Sequence, residues 1–153
     1  MRIAIRSARL AEASAIGRLV ERAYAKYVPR IGRRPAPMDD DYEALIAAGE
    51  AFVAIDTVVV GVIVLRLTDE FLFVDNVAVE PQRQGEGIGK GLLAFAEQVA
   101  RQHRLSELRL YTNRAMTENI ALYRRLGWEE TRQSTDEGFA RVYFRKVLPR
   151  SQR

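Results

Sequence analysis

The sequence contains no cysteine and only one histidine, His103. This scarcity excludes disulfide bonds, thiolate zinc sites, cysteine nucleophiles and metal sites built from several histidines. Any catalysis must therefore rely on other side chains, and we expect no metal. His103 stands late in a predicted helix, where a partial positive charge on its side chain interacts favourably with the helix dipole. This structural role makes it a poor candidate for a catalytic group.

Long apolar runs are also missing. Arginines interrupt the N-terminus before a secretory signal could form. The longest apolar run, Val58 to Leu65, is far shorter than the roughly 20 residues that span a bilayer as a helix. We therefore expect a cytoplasmic protein without a membrane partner.

Size and composition favour a single globular domain. The chain has 153 residues, of which 48% are hydrophobic and 29% are charged, as in soluble proteins with a real core. No linker or repeat divides it, so we place one domain at residues 1–148 and a basic tail at 149–153.

The net charge of +4 suits a nucleic acid, a membrane surface or an anionic ligand, and the charge alone does not distinguish among these partners. The arginines are dispersed and no basic helix carries interleaved aromatic residues, so we expect no nucleic-acid partner.

Apolar periodicity predicts an α/β protein built on one mixed sheet. A strand at Ile3 and Ile5 precedes a helix that runs from Leu10 to Tyr27 and ends near Pro29. Residues 28–38 contain proline, glycine and arginine and are predicted to form a loop. The aspartates at 39–41 then begin a second short helix, chiefly as helix-start chemistry, although one of them facing an active-site mouth is a lesser possibility.

The second half of the sequence alternates strands and helices. Runs at 51–55, 58–67 and 70–79 with short connections predict an antiparallel meander. A helix from Gly87 to about Arg104 then crosses over to a strand at 107–113, which must be parallel to its predecessor. The last predicted elements are a helix capped by Thr117 and ended by Gly127, and a hairpin of 128–131 and 139–147 joined through 134–138.

A glycine turn between the third meander strand and the crossover helix is the most informative stretch. Gly85, Gly87 and Gly89 let main-chain N–H groups converge at a helix start, which suits a phosphate or pyrophosphate. The G-x-G-x-x-G pattern is not matched, because Lys90 or Leu92 stands where its last glycine is needed. A P-loop is not matched either, because Gln84 stands at its first glycine and Gly91 at its Ser or Thr. An ordinary strand-to-helix turn is the simpler alternative, but three glycines in five residues destabilise a helix start unless a close backbone approach requires them.

Two motifs resemble those of the GNAT superfamily of N-acetyltransferases. Gln84, Gly87 and Gly89 fill its acyl-CoA-binding pattern [Gln or Arg]-x-x-Gly-x-[Gly or Ala]. The stretch Asn119-Ile-Ala-Leu-Tyr-Arg-Arg-Leu-Gly-Trp128 resembles its second motif at the expected distance. The resemblance covers residues 50–147 closely and implies a meander followed by a parallel strand, helices on both faces, and acetyl-CoA as cosubstrate.

The resemblance also implies positions for the cofactor. Two strands would splay apart around the pantetheine arm, and the amides of 84–89 would hold the pyrophosphate. For polar side chains at this helix start, plain exposure to solvent is as good an explanation as contact. The cofactor-binding residues so implied are Val77, Val79, Gln84, Gly85, Gly87, Ile88, Gly89, Lys90 and Asn119.

Catalytic roles follow from the same resemblance. Asn119 and Tyr123 are four apart on one helix face, and the Tyr123 hydroxyl would protonate the departing CoA sulfur, although a half-buried core aromatic is the simpler explanation. This transfer is uphill by about 2 kcal/mol for an ordinary tyrosine, so its pKa should be lowered or the proton relayed by water. An alkyl amine must also lose a proton, for which Asp75 is preferred over Glu80 and a water chain is a serious alternative.

The acceptor itself is not identified by the sequence. The residues expected to line its site are Tyr27, Arg30, Arg34, Tyr42 and Tyr111. The first hypothesis is direct acetyl transfer to a primary amine of a small molecule or a peptide, with a homodimer possible. The alternatives are a non-catalytic acyl-CoA-binding regulatory module and, last, a basic nucleic-acid module.

Overall fold

The computed structural model describes residues 3–149, which form a seven-stranded mixed sheet with helices on both faces. The elements are β1 (Ala4–Ser7), α1 (Ala13–Tyr24), α2 (Tyr27–Ile31), α3 (Tyr42–Ala47), β2 (Ala51–Asp56), β3 (Val58–Leu67), β4 (Leu72–Val79), α4 (Ile88–Gln102), β5 (Glu107–Asn113), α5 (Thr117–Arg125), β6 (Glu129–Asp136) and β7 (Phe139–Val147). Residues 150–153 of the predicted basic tail lie outside the described part of the chain.

The order of the strands in the sheet is β1-β2-β3-β4-β5-β7-β6. All neighbours are antiparallel except β4 and β5, which are parallel and joined through α4. The predicted meander, helical crossover and final hairpin are therefore confirmed. Within residues 3–149, no helix combines the length and apolar character needed to cross a bilayer.

The first predicted helix is two helices in the structure. α1 ends at Tyr24, and α2 contains Pro29, which was expected to end a helix. Pro29 is tolerated because it lies in the first turn of α2, where a backbone N–H has no helical partner to lose. The predicted loop at 28–38 is therefore wrong at both ends, since α2 reaches Ile31 and a short 3-10 turn covers 36–39.

Two boundary predictions later in the chain are also wrong. Thr117 does not cap α5 but is its first residue, and its hydroxyl instead meets a Glu118 carboxylate oxygen at 3.1 Å. β6 extends to Asp136, so the last hairpin turns through only two residues, Glu137 and Gly138. Both have positive φ, 53° and 82°, as the tight turns preferred by twisted hairpins require. The helix-start role predicted for the aspartates at 39–41 is confirmed for Asp41, which accepts a hydrogen bond from the Ala44 amide at the start of α3.

A β-bulge at Asp75 divides β4 into two halves, and the even-numbered residues of the two halves point to opposite faces of the sheet. Asn76 pairs with Val64 and Val74 pairs with Leu65, so Asp75 is an extra residue in the ladder. Before the bulge, Val74 packs into the core beneath α4; after it, Asn76 is buried on the side of α1 and α3, near the core that contains Ala78. Bulges bend a strand and redirect its side chains. This one lies where β4 separates from β5.

Candidate active site

The sheet opens into a gap between β4 and β5. The two strands pair only at Leu72 with Leu108 and at Phe73 with Arg109. Beyond these pairs, β4 stays bonded to β3 and β5 stays bonded to β7 along their lengths. The gap therefore lies inside the sheet. Residues of β4 border two cavities there, and residues of β5 border the smaller of the two.

The larger cavity, of about 560 Å³, lies at the glycine turn. Gly85 and Gly87 have φ of 85° and 88°, a left-handed backbone that glycine adopts without strain. The first helical hydrogen bond of α4 runs from the Gly91 amide to the Gly87 carbonyl at 2.9 Å. The amides before Gly91 at this helix start therefore have no helical carbonyl to bind, and they face a site that suits an anion.

All nine predicted cofactor-binding residues line this cavity. The set comprises Val77, Val79, Gln84, Gly85, Gly87, Ile88, Gly89, Lys90 and Asn119, joined by Tyr27 and Tyr123. Gln84 donates from Nε2 to the Val79 carbonyl at 3.3 Å, which ties the turn to the end of β4. Arg83 also borders the cavity but forms ion pairs with Asp56 and Glu86.

The smaller cavity, of about 210 Å³, lies deeper in the gap. β4 contributes Val74 to Val77, and β5 contributes Leu110 to Asn113. Charged side chains of both signs also line it: Asp40, Arg66, Asp75 and Arg141. No group of three or more histidine, aspartate or glutamate side chains in the described chain is arranged to hold a metal ion.

Tyr123 lines both cavities and is 4% exposed. Its ring packs against Trp128 and Phe144 at centroid distances of 5.9 and 5.7 Å. Among the described residues its hydroxyl has no hydrogen-bond partner. Burial raises the pKa of Tyr123 above the usual value, opposite to the lowering that was one of the two expectations; the other was a proton relay through water. The phenol therefore stays protonated at neutral pH and is available as a donor.

A buried hydrogen-bond network lies beside this tyrosine, and the sequence did not point to most of it. Tyr24 donates to Asn76 Oδ1 at 2.5 Å, and Asn76 Nδ2 donates to the Tyr42 hydroxyl at 3.0 Å. Tyr42 in turn donates to the Pro37 carbonyl at 2.6 Å. Tyr42, expected in the acceptor site, borders neither cavity and instead supports Asn76 from behind.

The two candidate bases stand in different surroundings. Asp75 lines the smaller cavity and accepts a hydrogen bond from Arg66 at 2.8 Å. Glu80 is bound by Arg22 at 2.6 Å and borders neither cavity. Asp40, one of the three aspartates before α3, does face the smaller cavity, and burial followed by the nearby Asp75 raises its pKa.

The other expected acceptor residues are dispersed. Tyr111 lines the smaller cavity between Phe73 and Tyr143 in a row of rings. Tyr27 instead lines the larger cavity, and Arg30 binds Glu118 at 2.7 Å beside a separate shallow depression. Arg34 binds Glu21 and Asp39 on the surface.

Two charged residues of the smaller cavity, Arg66 and Arg141, were missed in the sequence analysis. Arg141 lies between Phe139 and Tyr143 at every second position of β7, so all three share one face of the strand. A lone charge between two aromatic residues on one strand face was the available signal.

Comparison with known proteins assigns the architecture. Residues 17–128 match the model of the acetyltransferase (GNAT) family. The fold is similar to PaiA N-acetyltransferase from Thermoplasma acidophilum in complex with coenzyme A, with a TM-score of 0.82 at 18% identity over 97% of this chain and 100% of that one. It is also similar to the ribosomal-protein-S18-alanine N-acetyltransferase from Escherichia coli, with a TM-score of 0.75 at 18% identity over 99% and 97% of the two chains. No curated protein matches the sequence.

Proposed function

Because the chain belongs to the acetyltransferase (GNAT) family, we propose that it transfers the acetyl group of acetyl-CoA to a primary amine by direct attack. The observation that carries the proposal is the gap between β4 and β5, with the glycine turn at its wide end and Tyr123 bordering both of its cavities. The larger cavity suits the cofactor, and the smaller one suits the acceptor.

The cofactor would be held by the backbone as much as by side chains. Val77 and Val79 offer main-chain groups along the open edge of β4, where an extended ligand can bind as an added strand does. The amides of residues 84–89 suit the pyrophosphate, with Lys90 and Asn119 on the same cavity wall. Bound there, acetyl-CoA supplies the activated acetyl group.

The chain's own residues would move two protons. The amine nitrogen forms a bond to the acetyl carbon, the carbon–sulfur bond breaks, the sulfur gains a proton and the amine loses one. Tyr123 would donate a hydrogen bond to the sulfur and so supply the proton that the sulfur gains. Since its pKa is raised by burial, complete transfer costs more than the about 2 kcal/mol of an ordinary tyrosine, which favours a water that restores the proton. Asp75, or a water chain, receives the proton of the amine.

A pair of glycine substitutions on one helix tests the cofactor site. A Cβ at Gly89 would meet Val79 Cγ2 at 3.6 Å and Leu122 Cδ2 at 3.8 Å, and one at Gly91 would meet Ile5 Cδ1 at 3.9 Å. Both are ordinary contacts, so Gly89→Ala and Gly91→Ala should each keep the fold and raise stability by up to about 1 kcal/mol through helix propensity. Only Gly89 lies at the proposed cofactor cradle, where an added methyl obstructs the approach of the ligand.

Calorimetric titration with acetyl-CoA and with CoA reads the result. We expect one site per chain in the wild type, a large loss of affinity in Gly89→Ala and wild-type affinity in Gly91→Ala. Equal acetyl-CoA affinity in Gly89→Ala and Gly91→Ala would contradict the proposed cofactor site at the start of α4. Tight acetyl-CoA binding without thiol release across a broad amine panel would favour the alternative, a non-catalytic acyl-CoA-binding regulator. The absence of cysteine keeps a thiol reagent free of protein background.

A further inference from the structure

The acceptor cavity contains two charged side chains of each sign, and one pair is already engaged. Arg66 binds Asp75 at 2.8 Å. The remaining two, Asp40 and Arg141, belong to separate elements, the turn before α3 and strand β7. Asp40 has no ion pair within residues 3–149, and it is partly removed from solvent. The cavity therefore offers one uncommitted negative group and one weakly committed positive group.

Arg141 is held in place by rings rather than by a carboxylate. Its side chain is only 11% exposed, and its guanidinium carbon lies 4.2 Å from the centre of the Tyr111 ring and 5.7 Å from that of Phe139. Among the described residues its ion pair is a 3.9 Å contact with Glu137, whose side chain is 83% exposed. Stacking fixes the plane of a guanidinium while its edge stays available for a bidentate anion.

We propose that the acceptor is a small zwitterion of the amino-acid type, in which Arg141 binds the carboxylate and the side of the cavity bearing Asp40 and Asp75 receives the amine. The inference rests on the proposed function and specifies its substrate class. The cavity volume of about 210 Å³ suits a molecule of amino-acid size. A polyamine fits less well, because it brings a second cationic group and has no carboxylate of its own to bind Arg141.

The test compares amines that differ only in the carboxylate. Each set contains an amino acid, its carboxamide and its decarboxylated amine, such as phenylalanine, phenylalaninamide and phenethylamine, over several side-chain sizes. Thiol release from acetyl-CoA gives kcat/KM for every member. Since the carboxamide has a less basic amine, the ratio of acid to amide in the wild type is compared with the same ratio in Arg141→Met. Amine basicity then cancels.

Arg132→Met is the matched control. Arg132 also stacks on a tyrosine of the same sheet, with its guanidinium carbon 3.9 Å from the Tyr143 ring centre, but it borders neither cavity. We expect Arg141→Met to lower the acid-to-amide ratio by about tenfold to a hundredfold, the usual effect of losing a charged hydrogen bond. Activity on the amide should persist, and Arg132→Met should keep the wild-type ratio. Retained acetyl-CoA affinity shows that each variant is folded.

The failures of the two proposals are distinguishable. Acetylation of amines with an unchanged ratio in Arg141→Met, or no acetylation of any carboxylate-bearing member, overturns the inference and leaves acetyl transfer standing. Acetyl-CoA binding with no acetylation of any amine overturns the proposed function and this inference with it.

Discussion

Replacing Tyr123 by phenylalanine removes one hydroxyl and little else. The ring contacts with Trp128 and Phe144 do not involve the oxygen, and no described residue hydrogen-bonds to it. We therefore expect a change in unfolding free energy within about 1 kcal/mol and nearly unchanged acetyl-CoA affinity. A loss of turnover would then report on the hydroxyl and not on the fold.

The size of that loss follows from the leaving group. A thiolate with a pKa of about 8.5 that leaves unprotonated near pH 7 lies about 2 kcal/mol above the thiol, which corresponds to about 30-fold in rate. We expect kcat to fall by about that factor, somewhat less than the roughly hundredfold at the lower end of general acid effects. Above about pH 8.5 the thiolate needs no proton, so the difference between the two enzymes should shrink. Because burial raises the pKa of Tyr123, its phenol stays protonated across this range and contributes no alkaline limb of its own.

The assay is thiol release under saturating acetyl-CoA, with single-turnover measurements to establish that chemistry limits kcat. Tyr143→Phe serves as a control, because that hydroxyl binds Asp136 away from both cavities. Turnover of Tyr123→Phe within about twofold of the wild type, with chemistry limiting, would remove the hydroxyl from the mechanism. A deficit that persists unchanged above pH 8.5 would show that the hydroxyl does something other than protonate the sulfur.

Three further predictions concern stability. Gly61→Ala should lower the unfolding free energy by about 1 kcal/mol, because its Cβ would lie 3.0 Å from Leu92 Cδ1. Gly17→Ala, with nothing within 4 Å, should raise it by up to about 1 kcal/mol, and urea midpoints measure both. Glu12→Gln should cost about 1–2 kcal/mol near pH 7, since Arg6 binds its carboxylate at 2.7 Å and lowers its pKa from 4.5 to about 2. A lowered pKa stabilises the fold above the unfolded value, so this difference should vanish as pH falls from about 4.5 through about 2; a constant difference would contradict the assignment.

The fold was readable from the sequence where one local pattern determined the structure. The glycines at 85, 87 and 89 lie between a strand pattern and a helix pattern and suit a helix start, so the crossover and its parallel strand could be predicted. Pro29 was misread because its cost depends on its position within a helix, and sequence does not fix where α2 begins. The family resemblance supplied the cofactor side of the site, which is mostly backbone.

The acceptor side depends on pairings that periodicity does not encode. Apolar residues occupy both faces of β4, at 72–74 and at 77–79, so the alternation that the bulge at Asp75 interrupts is not readable from the sequence. Arg141 meets Tyr111 only because β5 and β7 are neighbours in a particular register, which brings residues 30 positions apart into contact. Tyr42 was a reasonable acceptor residue by composition, but tertiary packing turned its hydroxyl toward Asn76 and Pro37.

The gap between β4 and β5 also means that the sheet is two smaller sheets, of four and three strands, hinged at two residue pairs. Among the described residues, strand pairing joins the halves at these two pairs alone, and helix α4 supplies the remaining connection. The apolar face of α4 packs against Leu72 of one half and Leu108 and Leu110 of the other in a single core. The fold can thus leave most of β4 and β5 without strand pairing across the gap, because side-chain packing beneath the sheet holds its two halves together.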